Sequence, residues 1–261
     1  MNGSENKEQR NLTFSSENRE ETAAVILAAG SSSRMRGIKK EFQKLNTDND
    51  DSDDNRNDDN HNDLTVLGSS AGTFAAINSV KIIVIAVQVN EEAAARRALP
   101  LELLEKNDPK IIFVNGGSTR RASVYNALCV LETFNPRYVL IHDGARPWVS
   151  ASLIENIIAA VKKFNAVIPL LPVTETPKEI TNSEKGTVFI KRHLKRVNAG
   201  VAQTPQAFKF PEILHAHKKA AEVSDEDFTD DAEIWGRFCG DVACIPGERE
   251  NRKITFREDL F

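Results

Sequence analysis

Short apolar runs alternate with amphipathic stretches along most of the chain. Runs such as Ala23–Ala28 and Lys81–Val87 are almost continuously aliphatic, which is typical of strands that are buried on both faces of a sheet. Between these runs, apolar residues recur at helical spacing, as in Val124, Leu128 and Leu131. The pattern predicts strands at 23–28, 81–87, 110–114, 138–141 and 166–171, and helices at about 64–78, 91–106, 119–134 and 150–164.

The order of these elements predicts the fold class. Strands that alternate with helices are typical of an α/β protein with a doubly wound, mostly parallel sheet. The stretch 172–200 breaks the rhythm, because turn residues are followed by the β-type run Thr187–Ile190, and we interpret it as a projecting β-arm. Ligands of such sheets bind beyond the carboxyl ends of the strands, so candidate chemistry is expected directly after each run. Two more amphipathic stretches, at about 209–222 and 229–239, precede a strand near 241–245.

The composition is that of a globular protein, with 40% hydrophobic and 28% charged residues. No window approaches the roughly 18 uninterrupted apolar residues of a membrane helix, and the polar N-terminus lacks the apolar segment of a secretory signal. Three scattered cysteines (Cys129, Cys239 and Cys244) form no C-x-x-C pair. This favours reduced thiols and a cytoplasmic location over a disulfide scaffold or a zinc site.

The formal net charge of −4 hides an uneven distribution. Residues 46–63 contribute −7 and residues 1–21 contribute −2, which leaves +5 on the other 222 residues. Both acidic segments are too poor in apolar residues to offset the entropy of ordering. We therefore predict one domain over 22–261, with a disordered tail before it and a disordered insert at 46–63. The basic remainder favours an anionic partner, but it has no basic stripe with interleaved aromatic residues that would indicate nucleic-acid binding.

Clusters of small and charged residues follow three of the predicted strands. The first, Leu27–Met35 (LAAGSSSRM), can bring backbone N–H groups close to phosphate oxygens, although it is neither a Walker loop nor a G-x-G-x-x-G fingerprint. The second, Asn115–Val124 (NGGSTRRASV), opens a helix with a Gly-Gly turn. Taken singly, these two are equally compatible with solvent-exposed turns. The third, His142–Pro147 (HDGARP), places a carboxylate where it can meet a ribose hydroxyl or a metal ion.

In this order, the clusters resemble the 2-C-methyl-D-erythritol 4-phosphate cytidylyltransferase family over about 23–260. Glu41 stands where the family usually has Gln, and the loop between Met35 and Lys40 is one residue short of the common spacing. The resemblance implies a Rossmann-like nucleotidyltransferase fold. The matched motifs are L-A-A-G-x-x-x-R-M at 27–35, K-Q-[YF] at 40–42, G-G-x-x-R-x-x-S-V at 116–124, H-D-[AG]-A-R-P at 142–147, T-P-Q at 204–206, T-D-[ED]-A at 229–232 and N-x-K-[VI]-T at 251–255.

The resemblance also implies a reaction and a set of residues for it. A cytidylyl group passes from CTP to methylerythritol phosphate with release of pyrophosphate, and Mg²⁺ bridges the substrate phosphates rather than binding directly to side chains. The implied catalytic cations are Arg34, Lys40 and Lys253. The implied CTP-binding residues are Ala28, Ala29, Gly30, Ser31, Gly117, Ser123, Asp143 and Gly144. The acceptor phosphate would be bound by Thr176, Arg196 and Thr229 together with Asp143, with Thr176 and Arg196 reaching the neighbouring subunit of a homodimer through exchange of the arm.

Two other functions remain open from the sequence. One is the same transfer to another polyol phosphate, such as ribitol 5-phosphate, and the other is a nucleotide-binding regulator without turnover. We interpret Arg120 and Arg146 as structural residues or as residues that support the site through other side chains. We interpret Cys129 as a core residue, and Trp148 and Trp235 as packing residues. His215 and His217 are expected to be surface residues, since their spacing on a helix makes a poor metal pair.

Overall fold

The computed structural model describes residues 22–32, 35, 37–45, 64–106, 108–182, 186–223 and 228–260. The predicted tail 1–21, the predicted insert 46–63 and Arg34 lie outside these residues. The strands are β1 (Thr22–Ala28), β2 (Val80–Val87), β3 (Lys110–Asn115), β4 (Tyr138–Asp143), β5 (Ala166–Pro172), β6 (Lys178–Asn182), β7 (Val188–His193), β8 (Gly200–Ala202), β9 (Gln206–Lys209) and β10 (Ala243–Pro246). The α-helices are α1 (Val66–Ala75), α2 (Glu92–Arg97), α3 (Leu101–Glu105), α4 (Arg120–Glu132), α5 (Ala151–Phe164), α6 (Phe210–Glu222) and α7 (Asp231–Phe238), and short 3₁₀ helices lie at Lys40–Phe42, Arg196–Asn198 and Arg257–Leu260.

The main sheet has the strand order β10-β5-β9-β4-β1-β2-β3, and β8 pairs with β5 beside β9. Strands β1 to β4 run parallel, and β10 runs parallel to β5. The predicted mostly parallel α/β sheet is therefore confirmed. The sequence pattern missed β9, a four-residue strand that lies antiparallel between β4 and β5.

Helices cover both faces of the sheet, because its central strands are buried on both sides. All side chains of β4 are buried, and in β1 only Leu27 is partly exposed. On one face α1 and α5 pack against a cluster that includes Phe74, Ile83 and Ile154. On the other face α4, α6 and α7 pack against a second cluster that includes Val25, Leu128 and Trp235.

Two helices replace the single one predicted over 91–106. Pro100 lies between α2 and α3 and precedes the first residue of α3. A proline lacks the N–H of a helical hydrogen bond, and its ring disfavours helical geometry in the preceding residue, so the two helices are separate. Within the described part of the chain, no helix combines the length and apolarity that crossing a bilayer requires.

Strands β6 and β7 form a separate antiparallel hairpin within the stretch interpreted as an arm. Every side chain of β7 is exposed, including Val188, Phe189 and Ile190. Ile180 of β6 is also more than half exposed. The hairpin therefore presents apolar side chains that the described residues of this subunit leave uncovered.

Candidate active site

A cleft of about 750 Å³ opens at the carboxyl ends of β1 and β4. These strands are neighbours in the sheet, but the chain continues from β1 toward β2 on one side and from β4 toward β5 on the other. Such a switch point leaves a crevice between the two connections, which is where open α/β sheets bind ligands. The residues that line the cleft are Leu27, Ala29, Gly30, Ser31, Ser32, Lys40, Glu41, Gln88, Val89, Gly116, Gly117, Ser118, Thr119, Arg120, Ser123, Asp143, Ala145, Lys253 and Thr255.

The loop after β1 forms one wall of the cleft through its backbone. Nε2 of Gln88 donates a hydrogen bond to the carbonyl oxygen of Ala29 at 3.2 Å. Nζ of Lys39 donates to the carbonyl oxygen of Gly30 at 2.8 Å and pairs with Glu91 at 3.0 Å. These hydrogen bonds fix the backbone of the loop, whose small residues Ala29, Gly30 and Ser31 line the cleft.

The glycine turn after β3 contacts this loop directly. The N–H of Gly116 donates to the carbonyl oxygen of Val87 at 2.7 Å, and a Cβ at Gly116 would overlap with the side chain of Ala29. The N–H of Gly117 donates to Oγ of Ser123 at 3.0 Å, and that hydroxyl donates to the carbonyl oxygen of Thr119. Ser123 therefore fixes the turn as well as lining the cleft, and only a residue without a side chain fits at position 116.

Asp143 is the centre of charge in the cleft. Its Oδ2 lies 2.9 Å from Nζ of Lys253 and 3.5 Å from Nε of Arg146, and its Oδ1 lies 3.7 Å from Nε of Arg120. Burial alone would raise the pKa of the Asp143 carboxyl, but Lys253, Arg120 and Arg146 together hold it well below its usual range. A carboxylate with three cations is firmly ionised and holds Lys253 in place.

Lys40 forms a hydrogen bond with the loop that carries Lys253. The residue is about nine-tenths buried, and its ammonium donates to the carbonyl oxygen of Ile254 at 2.9 Å. The N–H of Ile254 donates to the carbonyl oxygen of Ala145 at 2.8 Å. The loop that carries Lys253 is thus fixed from two sides, and Lys40 and Lys253 line the same cleft.

Glu41 adds a second carboxyl group to the cleft wall. It is buried, and Oγ of Ser32 donates to its Oε2 at 3.4 Å. Burial raises the pKa of Glu41, while its own backbone N–H and the neighbouring Lys40 and Lys39 act in the opposite direction. The departure from the family's usual Gln therefore lies in the cleft itself.

Comparison with known proteins identifies the family of the chain. The profile of the 2-C-methyl-D-erythritol 4-phosphate cytidylyltransferase family matches residues 22–261. The chain belongs to this family. The resemblance that the sequence motifs indicated is thereby confirmed.

Solved structures show the same cytidylyltransferase fold over nearly the whole chain. The 4-diphosphocytidyl-2C-methyl-D-erythritol synthase of Anaerococcus prevotii matches with a TM-score of 0.71 and 28% identity, covering 93% of each chain. The 2-C-methyl-D-erythritol 4-phosphate cytidylyltransferase of Francisella tularensis matches with a TM-score of 0.68 and 28% identity, covering 92% of this chain and 96% of that one.

Curated relatives are longer proteins. The bifunctional enzyme IspD/IspF of Brucella anthropi is 35% identical over 243 residues, which are 91% of this chain and 53% of that enzyme. The bifunctional enzyme IspD/IspF of Bartonella tribocorum is 41% identical over 151 residues, 58% of this chain and 37% of that enzyme. The matched part of the chain thus spans between about a third and a half of the length of these relatives.

The cytidylyltransferase cleft gathers most of the residues implied by the motifs. Ala29, Gly30, Ser31, Gly117, Ser123, Asp143, Lys40 and Lys253 all line it. Ala28 is completely buried in the core instead, and the N–H of Gly144 donates to the carbonyl oxygen of Leu27 at 2.9 Å. Neither Ala28 nor Gly144 is among the lining residues, so both support the cleft from beneath.

The three other residues assigned to the acceptor phosphate are not among those that line the cleft. Thr176 and Arg196 are exposed beside the hairpin, where Nη1 of Arg196 donates to the carbonyl oxygen of Thr174 at 3.1 Å. Thr229 is exposed and donates through Oγ1 to Glu233 at 2.7 Å. The structure thus does not bring these three residues into the cleft that Lys40 and Lys253 line.

Arg120 lines the cleft and pairs with two carboxylates, which is compatible with its interpretation as a residue that supports the site. Two other residues received the wrong interpretation or none from the sequence. His217 is completely buried against Asp231, whereas His215 is exposed as expected. Gln88 was not singled out, although its place directly after β2 is the signal that could have found it.

The other packing assignments fit the structure. Trp235 is buried and stacks on Phe208 with ring centroids 5.6 Å apart. Trp148 packs against a small apolar cluster under the guanidinium of Arg252, which lies 4.3 Å from the ring centroid. Cys129, a residue of α4, is partly buried and packs against the second core cluster.

Proposed function

We propose that the chain transfers a cytidylyl group from CTP to 2-C-methyl-D-erythritol 4-phosphate and releases pyrophosphate, a step in isoprenoid precursor synthesis. The proposal depends above all on one observation: Lys40 and Lys253 face one cleft whose other walls are the small-residue loops after β1 and β3. Family membership supports CTP and this acceptor as the substrates.

The chemistry requires positioned positive charge more than a general base. The acceptor phosphate attacks the α-phosphorus of CTP, and an anion that attacks an anion crowds negative charge into a five-coordinate transition state. Lys253, held by Asp143, and Lys40, held by Ile254, are both fixed before substrate arrives. Cations that are oriented in advance stabilise the transition state without the cost of reorganisation. Arg34 is assigned by its motif to the triphosphate.

The base of CTP would lie between the two small-residue loops. Cytosine offers one amino donor and carbonyl acceptors, so backbone groups at Ala29, Gly30 and Gly117 can recognise it without bulky side chains. Asp143 would lie beside the ribose and the acceptor hydroxyls, since it closes the cleft on the β4 side.

Mg²⁺ is proposed as the cofactor, carried by the phosphates. The described residues contain no group of three or more His, Cys, Asp or Glu side chains that could hold a metal ion, and Asp143 is engaged with three cations. Mg²⁺ commonly keeps several waters and binds through substrate phosphates, which fits such a cleft. When bound, it would neutralise charge on the triphosphate.

A homodimer with exchanged arms would complete the acceptor site. The support is the uncovered apolar side chains of the β6–β7 hairpin, together with the exposed positions of Thr176 and Arg196 on this arm. In the proposed dimer these two residues reach the acceptor phosphate in the neighbouring subunit, and Thr229 completes the pocket. The described cysteines are free thiols, which supports the proposed cytoplasmic location.

The test is an acceptor panel with CTP and Mg²⁺ in which pyrophosphate release is measured. The expected result is faster turnover with methylerythritol phosphate than with ribitol 5-phosphate. The matched variant Lys253→Ala should lose about 10²–10³ in rate while remaining folded by circular dichroism. Faster ribitol phosphate turnover would support the alternative acceptor, and CTP binding with no turnover on any acceptor would support a regulator.

A further inference from the structure

A line of alternating charges runs from beneath helices α6 and α7 to the cleft. Asp231, the first residue of α7, is completely buried, and its Oδ2 accepts a hydrogen bond from Nη1 of Arg120 at 2.8 Å. Its Oδ1 lies 3.1 Å from Nε2 of His217, whose ring is also completely buried. Both oxygens of this carboxylate are therefore engaged, one of them by a cation that reaches the cleft.

The ionisation of Asp231 follows from these contacts. Burial would raise the pKa of the carboxyl, but the charge of Arg120 and the hydrogen bond with His217 lower it below its usual value. In turn, burial would lower the pKa of Arg120, and the charges of Asp231 and Asp143 raise it instead. Asp231 and Arg120 thus form a permanent ion pair.

Arg120 stands between two carboxylates at unequal distances. Nη1 lies 2.8 Å from Oδ2 of Asp231, whereas Nε lies 3.7 Å from Oδ1 of Asp143. Because Coulomb attraction falls with distance, Asp231 draws the guanidinium away from Asp143. Asp143 then interacts more strongly with Lys253, whose Nζ lies 2.9 Å from Oδ2 of Asp143.

We propose that Asp231 is a positioning residue: it restrains Arg120, so that Asp143 anchors Lys253 in the cleft. The consequence for catalysis rests on the proposed function, in which Lys253 is one of the cations that stabilise the transition state. If the negative charge at Asp231 is removed, Arg120 turns fully to Asp143 and weakens the anchor of Lys253. Asp231 itself is not among the residues that line the cleft.

The first experiment measures steady-state kinetics of Asp231→Asn, which keeps the size of the side chain and removes its charge. We expect kcat to fall about 10- to 100-fold through misplacement of Lys253, with KM for CTP changed less than about threefold. In an Arg120→Gln background the same substitution should lower kcat further by less than about twofold, because Asp231 acts through Arg120. If Asp231→Asn also lowered kcat about 10- to 100-fold in the Arg120→Gln background, the proposal would be overturned.

Asp230→Asn is the matched control one residue away. Asp230 caps α7 by accepting a hydrogen bond from the N–H of Glu233 at 2.9 Å, and it accepts a second one from Gln206. Its charge also raises the pKa of Arg120, but less than the charges of Asp231 and Asp143 do. Asn caps helices as well as Asp does, so this variant should keep kcat unchanged. An equal loss of kcat in both variants would show that the effect comes from anchoring α7, and it would reject the proposal.

A second readout requires no turnover. The rate at which acetic anhydride acylates Lys253 in the protein without substrates can be followed by peptide mass spectrometry. The acylation rate should rise several-fold in Asp231→Asn, where Asp143 holds the ammonium less firmly. It should fall in Arg120→Gln, because Asp143 then interacts only with Lys253 and Arg146.

This readout also separates the two proposals. If Asp231→Asn does not fold, the Arg120→Gln variant decides, and an unchanged acylation rate at Lys253 would overturn the inference. If the acylation rates change as expected while the wild-type protein transfers no cytidylyl group, the positioning role stands and the proposed function fails.

Discussion

At the scale of single residues, the turn after β4 depends on one neutral histidine. The carbonyl oxygen of Arg146 can only accept a hydrogen bond, so Nε2 of His142, 3.2 Å away, carries the proton. In the neutral ring Nδ1 then accepts from Oγ1 of Thr204 at 3.0 Å, and the same Oγ1 accepts from the N–H of Asp143 at 3.0 Å. This neutral tautomer holds both ends of the turn around Asp143.

His142 should make the stability of the protein dependent on pH. Burial lowers its pKa from 6.5 to about 4, with the charge of Asp143 acting in the opposite direction. Between these values the unfolded chain binds the proton more readily than the folded chain, so the free energy of unfolding falls as the pH falls. Urea unfolding should show a loss of about 2 kcal/mol from this group between roughly pH 7.5 and pH 5.

Two variants isolate this contribution. His142→Gln cannot titrate, so it should lack this part of the pH dependence, even though its absolute stability is lower. His215→Gln changes an exposed histidine on α6 and should keep the full dependence. A His142→Gln protein with the same slope as wild type would contradict the assignment.

The sequence motifs predicted the residues that line the cleft better than the buried residues that hold them in position. The loop residues Ala29, Gly30 and Gly117 follow strands directly, and that position marks them in the sequence. Arg120 and Asp231 are 111 positions apart, and no periodicity brings them together. The spacing of His215 and His217 correctly placed them on different faces of a helix. It could not show that the face with His217 would be buried against Asp231.

At the scale of elements, the hairpin β6–β7 contrasts with the rest of the structure. The main sheet is covered by helices on both faces, whereas Phe189 of the hairpin is 59% exposed and Ile190 is 53% exposed. Contiguous apolar side chains at a surface mark an interaction site. An exchanged arm would cover them and would bring Thr176 and Arg196 to a neighbouring cleft.

Phe189→Asp tests this role of the hairpin. A buried charge in the proposed interface should shift the protein from dimer to monomer in sedimentation velocity, because an unpaired charge is costly to desolvate. Turnover should fall with dimer content, since the acceptor site would lose the partner's contribution.

Phe164→Asp serves as the matched control for this variant. Phe164 is 56% exposed, a fraction close to that of Phe189, but it lies at the end of α5. The variant should remain a dimer. A wild-type protein that sediments as an active monomer would exclude the exchanged arm.

Strands were predictable from the sequence wherever a long aliphatic run marked them. The five long aliphatic runs all became strands of the main sheet. Strands β1, β2 and β4 are buried on both faces, which leaves no room for polar residues, whereas β3 lies at the edge of the sheet and is only partly buried. Strand β9 escaped detection, since four residues are too few to establish a pattern. The break between α2 and α3 follows from Pro100, whose effect on a helix could have been included in the prediction.

At the scale of the whole molecule, the residues that flank segment 46–63 lie side by side. The N–H of Leu45 donates to the carbonyl oxygen of Leu64 at 2.9 Å, and Lys44 and Thr65 form an antiparallel bridge. The domain therefore pairs the two flanks of this segment directly. A short turn could replace everything between Leu45 and Leu64 without moving either end.

Replacing 46–63 by Asn-Gly should leave the enzyme active. These two residues suit a tight hairpin turn, and a shorter connection costs less closure entropy, so the free energy of unfolding should be equal or higher by up to about 2 kcal/mol. Turnover should change less than about twofold, because ends that stay paired leave the cleft as it is. Urea unfolding and pyrophosphate release measure the two quantities, and a folded but inactive deletion would show that the insert contributes to catalysis.

The hydrogen bond between Lys40 and Ile254 spans 214 positions of the chain, and it has a consequence for synthesis on the ribosome. The strands β1 to β4 can pair as soon as they have emerged, but Lys253 is made only after every strand and α-helix described in this structure. A nascent chain can therefore assemble its sheet before Lys253 joins the other cations that line the cleft. A fragment that ends before Lys253 would contain every strand of the main sheet and would still lack one of the cations that line the cleft.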